Sequence, residues 1–515
     1  MQLTNQPWIP ILDQHGNASL ASLLDIFDES SPVRDLAVRP HERIALYRLL
    51  ICIVQAALDG PDIREQWEEC LSEIGPASRK YLEKWQHRFK LFDTDQPFLQ
   101  CAGLTKPAKP SKKSKPAVVD AEEEEGAKVS KLDFALSTGA NTTLFDHGAA
   151  TDQPRTFTSA QAALMLLTFQ SFSPGGRIGV ARWNGQDTPG KGSSSHAPCT
   201  PKAMLHSFVR KETLIATLHS NLLTKRDAVS EGLTWGRPLW EMPPDRFQND
   251  EAIANATSTY LGRLVPMTRA TLLSPDCSGM VLANGLTYPS FPEYPAETSA
   301  ATIIRNDNQR GVLGAGDRAI WRELPAILMR RKAGSVGGPA TLEKIDYGTA
   351  FDLWIGAFQT DKATILDTVE SVFHVPPRLM SDPGRLAYEH EIVRCGSIAR
   401  NLESAILTYR QCLDLRLNSL KPYELKKLKY REKTSALALY WTSIEQAVPL
   451  LHAHFQAPEN SPEADEALAK WHRTLRQSAR DAYTVTCPSE TPRQRRAHVL
   501  GLNRLNYRHK QPTNL

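Results

Sequence analysis

Paired cysteines are missing from this chain. Its eight cysteines, Cys52, Cys70, Cys101, Cys199, Cys277, Cys395, Cys412 and Cys487, stand singly, with no Cys-x-x-Cys among them. That spacing argues against a zinc site and against a disulfide framework, and it fits a reducing cytoplasm. Long apolar runs are missing as well: no segment has the ~20 uninterrupted apolar residues that cross a bilayer. The opening MQLTNQPWIPIL has no basic region followed by an apolar core, so no secretory signal is read there. A soluble, cytoplasmic protein is expected, with no membrane partner. No charge predominates either. The 61 Lys and Arg against 57 Asp and Glu leave a net +4, so a surface for nucleic acid has to come from local clustering.

Catalytic signatures are equally scarce. No Gly-x-Ser-x-Gly elbow occurs, and His390 in Tyr388-Glu389-His390-Glu391 has Arg394 where a second zinc-binding histidine would stand. Gly185 to Lys191 follows most of a phosphate-binding loop but continues with Gly192 in place of the Ser or Thr that holds magnesium. Gly314-Ala315-Gly316 matches part of a dinucleotide fingerprint, with a helix expected after it but no strand-helix-strand context before it. A non-enzyme with neither metal nor cofactor is expected; a nucleotide hydrolase built on Gly190-Lys191 is the enzyme alternative.

The stretch that stands out is Thr158 to Asn184. Thr158 and Gln161 form a capping box, and Ala162 to Leu167 has no polar face, so the helix they open should be buried. Pro174, Gly175 and Gly176 end it and strip side chains from the emerging loop, where backbone can approach another molecule closely. From Ser171 to Lys211 the one acid, Asp187, faces Arg177, Arg182, Lys191, Lys202, Arg210 and Lys211. An anionic partner follows from that imbalance. A solvated loop on a core helix is the plainer alternative.

In chain order, Trp8 to Leu12 reads as a strand near a sheet edge, because Pro10 cannot donate to a central ladder. Pro40 opens an apolar core helix closed by Gly60-Pro61, and amphipathic helices follow around Ile63 to Ile74 and Ala77 to Phe92. Thr105 to Val129 sets alternating lysines and prolines before Glu122 to Glu125, a composition expected to form a disordered surface loop. Ser137 to His147 is small and hydroxyl-rich and carries Phe145. It suits either partner contacts or a hairpin with Phe145 buried. Asp317 to Arg331 reads as an amphipathic helix.

From about Ser381 the apolar residues step by threes and fours: Tyr388, Ile392, Cys395, Ala399, Leu402, Ile406, Tyr409 and Leu413, then Leu437, Trp441, Ile444, Val448, Leu451 and Phe455. Further helices open at Ser461-Pro462, with Leu468, Trp471, Leu475 and Ala479 inward, and at Thr491-Pro492. The fold class is therefore α+β: a mixed, largely irregular N-terminal body over residues 1–378, then a C-terminal four-helix bundle over 379–515. No acid follows Glu490, while Arg493, Arg495, Arg496, Arg504, Arg508 and Lys510 do, which makes a basic face or a solvated end.

Taken in order, Asn5-Gln6-Pro7-Trp8-Ile9-Pro10, Gln96-Pro97-Phe98-Leu99-Gln100, Ser137 to His147, Phe172-Ser173-Pro174-Gly175-Gly176, Ile355 to Leu366 and the terminal bundle resemble the large subunit of type I-E CRISPR Cascade surveillance complexes, the CasA family. The resemblance spans nearly the whole chain. It implies a non-catalytic subunit that binds guide RNA and the other Cascade subunits. Such a subunit recognises the protospacer-adjacent motif (PAM) in double-stranded DNA, starts strand opening and offers a surface to the nuclease-helicase. The family's glycine loop maps onto Gly175, Gly176 and Arg177 to Gly179, and its wedge hairpin onto Asp361-Lys362-Ala363, with Lys362 where the family commonly has glutamine. Phe145 and His147 match the loop that anchors the subunit near the guide handle, and Arg495 and Arg496 are bundle candidates for DNA contact. The family's lysine-bearing loop should fall at Ser274 to Tyr288, which holds no Lys or Arg, so its role would pass to Ser278, Asn284 or another loop. An architectural subunit that binds protein and RNA without reading DNA is the other alternative.

Overall fold

The computed structural model describes residues 1–106, 127–134, 157–173, 179–188, 203–305, 308–316, 318–331, 336–361, 364–427 and 430–506. The chain divides into two compact units. One runs from Met1 to Val375, apart from two short excursions, Trp321–Pro325 and Tyr347–Thr349, which belong with Pro376–Leu515 in the other. The fold is α+β, with small antiparallel sheets and helices in the first unit and long helices in the second.

The first unit opens on β1 (Ile9–Leu12) and β2 (Ala18–Ala21), joined to β3 (Asp35–Leu36) in the order β2-β1-β3. The strand with Pro10 is thus central, not an edge. Its ladder with β3 covers only Ile11 and Leu12, so Pro10 sits past the last pair that would need its N–H, and its carbonyl still accepts from Ala37 at 2.9 Å. Next, α1 (Pro40–Leu58) carries Pro at its first turn, and every residue from Ile44 to Gln55 is buried. Arg48 on it forms an ion pair with Glu297 at 2.9 Å, both side chains 1% exposed. The second amphipathic stretch is displaced from its expected bounds: α2 spans Ile74–Trp85, with a 3-10 turn to Arg88.

The glycine-loop helix is α3 (Ser159–Phe172), capped by Thr158 and Gln161 as a full capping box and buried from Ala162 onward. After it come the hairpin β4 (Arg182–Trp183) and β5 (Gln186–Asp187), the strand β6 (His206–Arg210), and the hairpin β7 (Arg269–Leu273) and β8 (Gly279–Asn284). The long hairpin β9 (Phe351–Asp361) and β10 (Thr364–Val375) completes this unit, with β6 on the other side of β9. Trp354 and Phe358 point to the same inner face of β9. Gly356 between them leaves room for the Trp354 indole, whose ring a Cβ there would strike.

Two expectations fail before the long C-terminal helices. Asp317 to Arg331 is not one helix: a 3-10 turn, Ile320–Glu323, leads to the four-residue helix Leu324–Ile327, where Pro325 can only occupy a first turn. The Thr105 to Val129 insert is narrower than expected. Thr105 exchanges two backbone hydrogen bonds with Arg182 at 2.9 and 2.7 Å, Ala127–Lys128 pairs with β8, and Val129 is buried. Apolar Ala127 and Val129 give these ends something to bury; residues 107–126 lie outside the described residues.

The second unit is built on four helices, α4 (Asp382–Leu413), α5 (Arg431–Gln456), α6 (Pro462–Thr486) and α7 (Pro492–Asn506). α5 packs along α6 and α4 along α7, with α4 also against α5 and α6, as in a four-helix bundle. Trp471, Leu475 and Ala479 face the core as expected, while Leu468 is half-buried. On α5 the early stripe is shifted by one residue: Ala436 and Tyr440 are buried, Leu437 and Trp441 only half-buried. The physical reason is polar. Tyr440 Oη donates to the Cys395 carbonyl at 3.0 Å, and Trp441 stays outside to stack under Arg322, 4.1 Å from its ring centroid.

Candidate nucleic-acid interface

The glycine loop leaves α3 through a buried polar clamp. Gln170 on the last turn is fully buried, and its Nε2 donates to the carbonyls of Leu99 at 3.0 Å and Arg269 at 2.8 Å and to Thr271 Oγ1 at 3.2 Å. Its Oε1 accepts from the Arg269 N–H at 2.9 Å. One side chain thus acts as a strand partner to β7 and ties the helix end to the Gln96–Gln100 motif. The motif is held in turn by Gln100, whose Oε1 accepts from Leu273 N at 2.8 Å and whose Nε2 donates to the Leu91 carbonyl at 2.7 Å.

Arg269, 1% exposed, completes the clamp. Its Nε donates to Ser173 Oγ at 3.0 Å, on the residue that ends α3, and its Nη1 donates to Asn284 Oδ1 at 2.7 Å on β8. Burial pushes its pKa down to about 10, which still leaves it charged at neutral pH. Hydrogen bonds to neutral oxygens compensate the desolvation. Asn284, a sequence candidate to replace the family's lysine loop, is therefore a buried partner of Arg269 and offers no surface contact. Ser278 is exposed, but its hydroxyl donates to Asp276 at 2.8 Å. Hydrogen bonds from Ser274 and Ser278 hold Asp276 down to about pKa 2, so the turn between β7 and β8 presents a fixed negative charge.

The roots of three sequence-predicted stretches meet in one aromatic cluster. The Phe358 ring lies 5.2 Å from Phe172, 5.4 Å from Phe134 and 5.0 Å from His41, centroid to centroid. Phe134 also stacks on Phe169 at 5.8 Å. Phe172 precedes the glycine loop, Phe134 the Ser137 to His147 stretch, and Phe358 the tip of the β9–β10 hairpin. Nothing in local periodicity links these three residues; the signal available in sequence was only that each flanking segment carries a phenylalanine. His41 is 3% exposed and its Nδ1 has no hydrogen-bond partner among the described residues. Burial, with Arg39 adding to it and Glu42 and Asp133 opposing, pushes its pKa down to about 4.

Several expected contact residues fall outside the described residues: Gly175, Gly176, Arg177, Lys362, Ala363, Phe145 and His147. Gly179 is exposed, and among the described residues a Cβ there would meet nothing within 4 Å. Asp361 ends β9 and pairs with Thr364, after a register shift between Gln359 and Thr360. On α7, Arg495 and Arg496 are exposed and neither makes an ion pair among the described residues. Arg495 Nε donates to the Ser489 carbonyl at 3.3 Å.

The other motifs lose their context. Asn184-Gly185, at φ +46° and +80°, turns the β4–β5 hairpin where a phosphate-binding loop would rise from a strand, and residues 189–202 lie outside the described residues. The helix expected after Gly314-Ala315-Gly316 is instead the 3-10 turn from Ile320. His390 is exposed on α4, and among the described residues no cluster of three metal-ligating side chains occurs. No described helix is long and apolar enough to cross a membrane.

CasA/Cse1 of Thermus thermophilus is 26% identical, covering 94% of this chain and 92% of that protein. The crystal structure of Thermobifida fusca Cse1 superimposes with a TM-score of 0.73 at 18% identity, covering 98% of this chain and 97% of that one. A chain of a CRISPR RNA-guided surveillance complex gives 0.70 at 17%, covering 98% and 99%. The model of the family CRISPR-associated protein Cse1 matches residues 2–482, and the chain belongs to that family, the CasA family its motifs resemble.

Proposed function

We propose that this chain is the large subunit of a type I-E guide-RNA surveillance complex, where it recognises the PAM in duplex DNA and starts strand opening. It works in the cytoplasm, carries no catalytic site of its own, and provides a docking surface for the nuclease-helicase. The observation that carries the reading is the meeting of Phe134, Phe172 and Phe358, because each lies within three residues of a stretch the resemblance assigns to nucleic-acid contact.

The physical division of labour follows from the partners. Pairing with the guide reads the target, so the protein needs to read only a short motif on the duplex. Backbone at Gly175 and Gly176 can approach a minor-groove edge, where a guanine amino group is the main distinguishing feature, and this degenerate code tolerates related motifs. Lys362, which the sequence sets between β9 and β10, separates the next base pair as a wedge. Phe145 and His147 seat the subunit at the guide handle, and Arg495 and Arg496 hold separated DNA by charge.

The test is enrichment of the reconstituted guide complex from a duplex library randomised at the motif. Gly176→Asp should abolish motif-dependent enrichment with assembly intact, and Lys362→Ala should slow strand opening alone. Wild-type behaviour from both variants refutes the reading. The fixed negative charge at Asp276, where the family carries a lysine loop, favours a second reading, an architectural subunit. Complexes that lack this chain and still discriminate motifs would establish it.

A further inference from the structure

We infer that Phe358 is a positioning residue that couples the three loops, so that the seating of one sets the geometry of the other two; this rests on the function proposed above. Phe358 is 6% exposed and is the ring that touches Phe134, Phe172 and His41 together. The contacts with Phe134 and Phe172 each reach the root of a different loop, and His41 backs the ring from the first turn of α1. Phe134 is fixed from its other side by stacking on Phe169, one turn of α3 before Phe172, so the handle-side root and the glycine-loop root share a helix face. Phe358 belongs to β9, whose pairing with β6 spans Asp352 to Gly356 and stops short of it. Past that point the hairpin is held by β10 and by the aromatic contacts. The register shift between Gln359 and Thr360 follows directly, so the regular ladder is interrupted just beyond the ring.

The cluster is built for transmitting position. Two edge-to-face contacts, at 69° and 81°, fix the Phe358 ring plane against Phe172 and Phe134. A close-packed aromatic cluster shifts as a unit, since its voids are too small to absorb displacement of one ring. A loop drawn toward RNA at Phe134 therefore moves the ring that sets where β9 enters its tip. The bland alternative, a core phenylalanine that merely fills space, makes a different prediction.

The experiment compares Phe358→Leu, Phe134→Leu and Phe89→Leu in the full chain within the reconstituted guide complex. Phe89 is a fully buried ring stacked on Phe98, outside the Phe358 ring cluster, and it serves as the core-truncation control. Three readouts are taken: affinity for the guide complex, the ratio of affinities for duplexes with and without the motif, and 2-aminopurine fluorescence at the first base pair beyond it. Phe358→Leu and Phe134→Leu should weaken all three in step, by about three- to thirtyfold. Phe89→Leu should lower the melting temperature without moving them. Equal effects from Phe89→Leu and Phe358→Leu, or an effect of Phe358→Leu on one readout alone, overturn the proposal. If the wild-type complex discriminates no motif, the proposed function fails, and coupling is then judged by hydrogen exchange at residues 131–134, 169–173 and 357–361. A joint rise in Phe358→Leu supports it, and unchanged exchange overturns it.

Discussion

Acid should loosen the first unit through His41. The imidazole is buried against Phe358 and Phe134, its Nδ1 has no partner among the described residues, and burial with the Arg39 charge pushes its pKa from 6.5 down to about 4. Glu42 and Asp133 act the other way but do not offset this. In the unfolded chain the ring takes a proton below about pH 6.5, whereas the folded chain refuses it until about pH 4. Stability from this group is therefore complete above pH 6.5 and declines as pH falls through the window between the two values. The full displacement corresponds to about 3 kcal/mol, and the part between pH 7.5 and pH 5 to about 2 kcal/mol. Denaturant unfolding of wild type and His41→Leu at pH 7.5, 6.5, 5.5 and 5 isolates it, because other titrating groups contribute equally to both. Wild type should lose about 2 kcal/mol more than the variant across that range. Parallel profiles would refute the argument, and so would an NMR titration giving His41 an ordinary midpoint.

Three further outcomes follow from the geometry. Glu297 is buried, but Arg48, Arg263 and His206 outweigh the burial and hold it down to about pKa 2. Glu297→Gln would strand the Arg48 charge and cost about 3–5 kcal/mol in chemical denaturation, and an unchanged midpoint would contradict the pair's role. Gly236 sits at φ +74° with Thr259 and Asn255 where a Cβ would go, so Gly236→Ala should destabilise by roughly 2 kcal/mol or more, while Gly179→Ala leaves stability unchanged; equal melting temperatures would refute it. Charge reversal of Arg495 and Arg496 should weaken DNA held by the complex and lower the salt slope of binding by about two, and an unaltered slope would remove these residues from the interface.

Much of the fold was legible because local signals agree with it. The Thr158–Gln161 capping box, the unbroken apolar run after it, Pro40 at a helix start and the threes-and-fours stepping after Ser381 all place helices where the structure has them. Failures arose where a side chain's polar partner overruled its hydropathy. Trp441 stays out under Arg322 while Tyr440 goes in to reach Cys395, and Asn284 is consumed by Arg269. Pro10 occupies a central strand because the β3 ladder is too short to need its N–H.

The order of motifs along the chain, its lack of metal-ligand and catalytic spacings, and the glycine-rich exit from a buried helix were determined by sequence alone, since each depends on residues within a few positions of one another. Family membership followed from the same order. The tertiary structure decided that Gln170 bridges α3 to β7 and the Gln96–Gln100 motif, that Arg269 spans Ser173 and Asn284, and that Phe134, Phe172 and Phe358 touch. Those partners are far apart in sequence, and close packing of the folded core, which no local periodicity encodes, is what brings their side chains together.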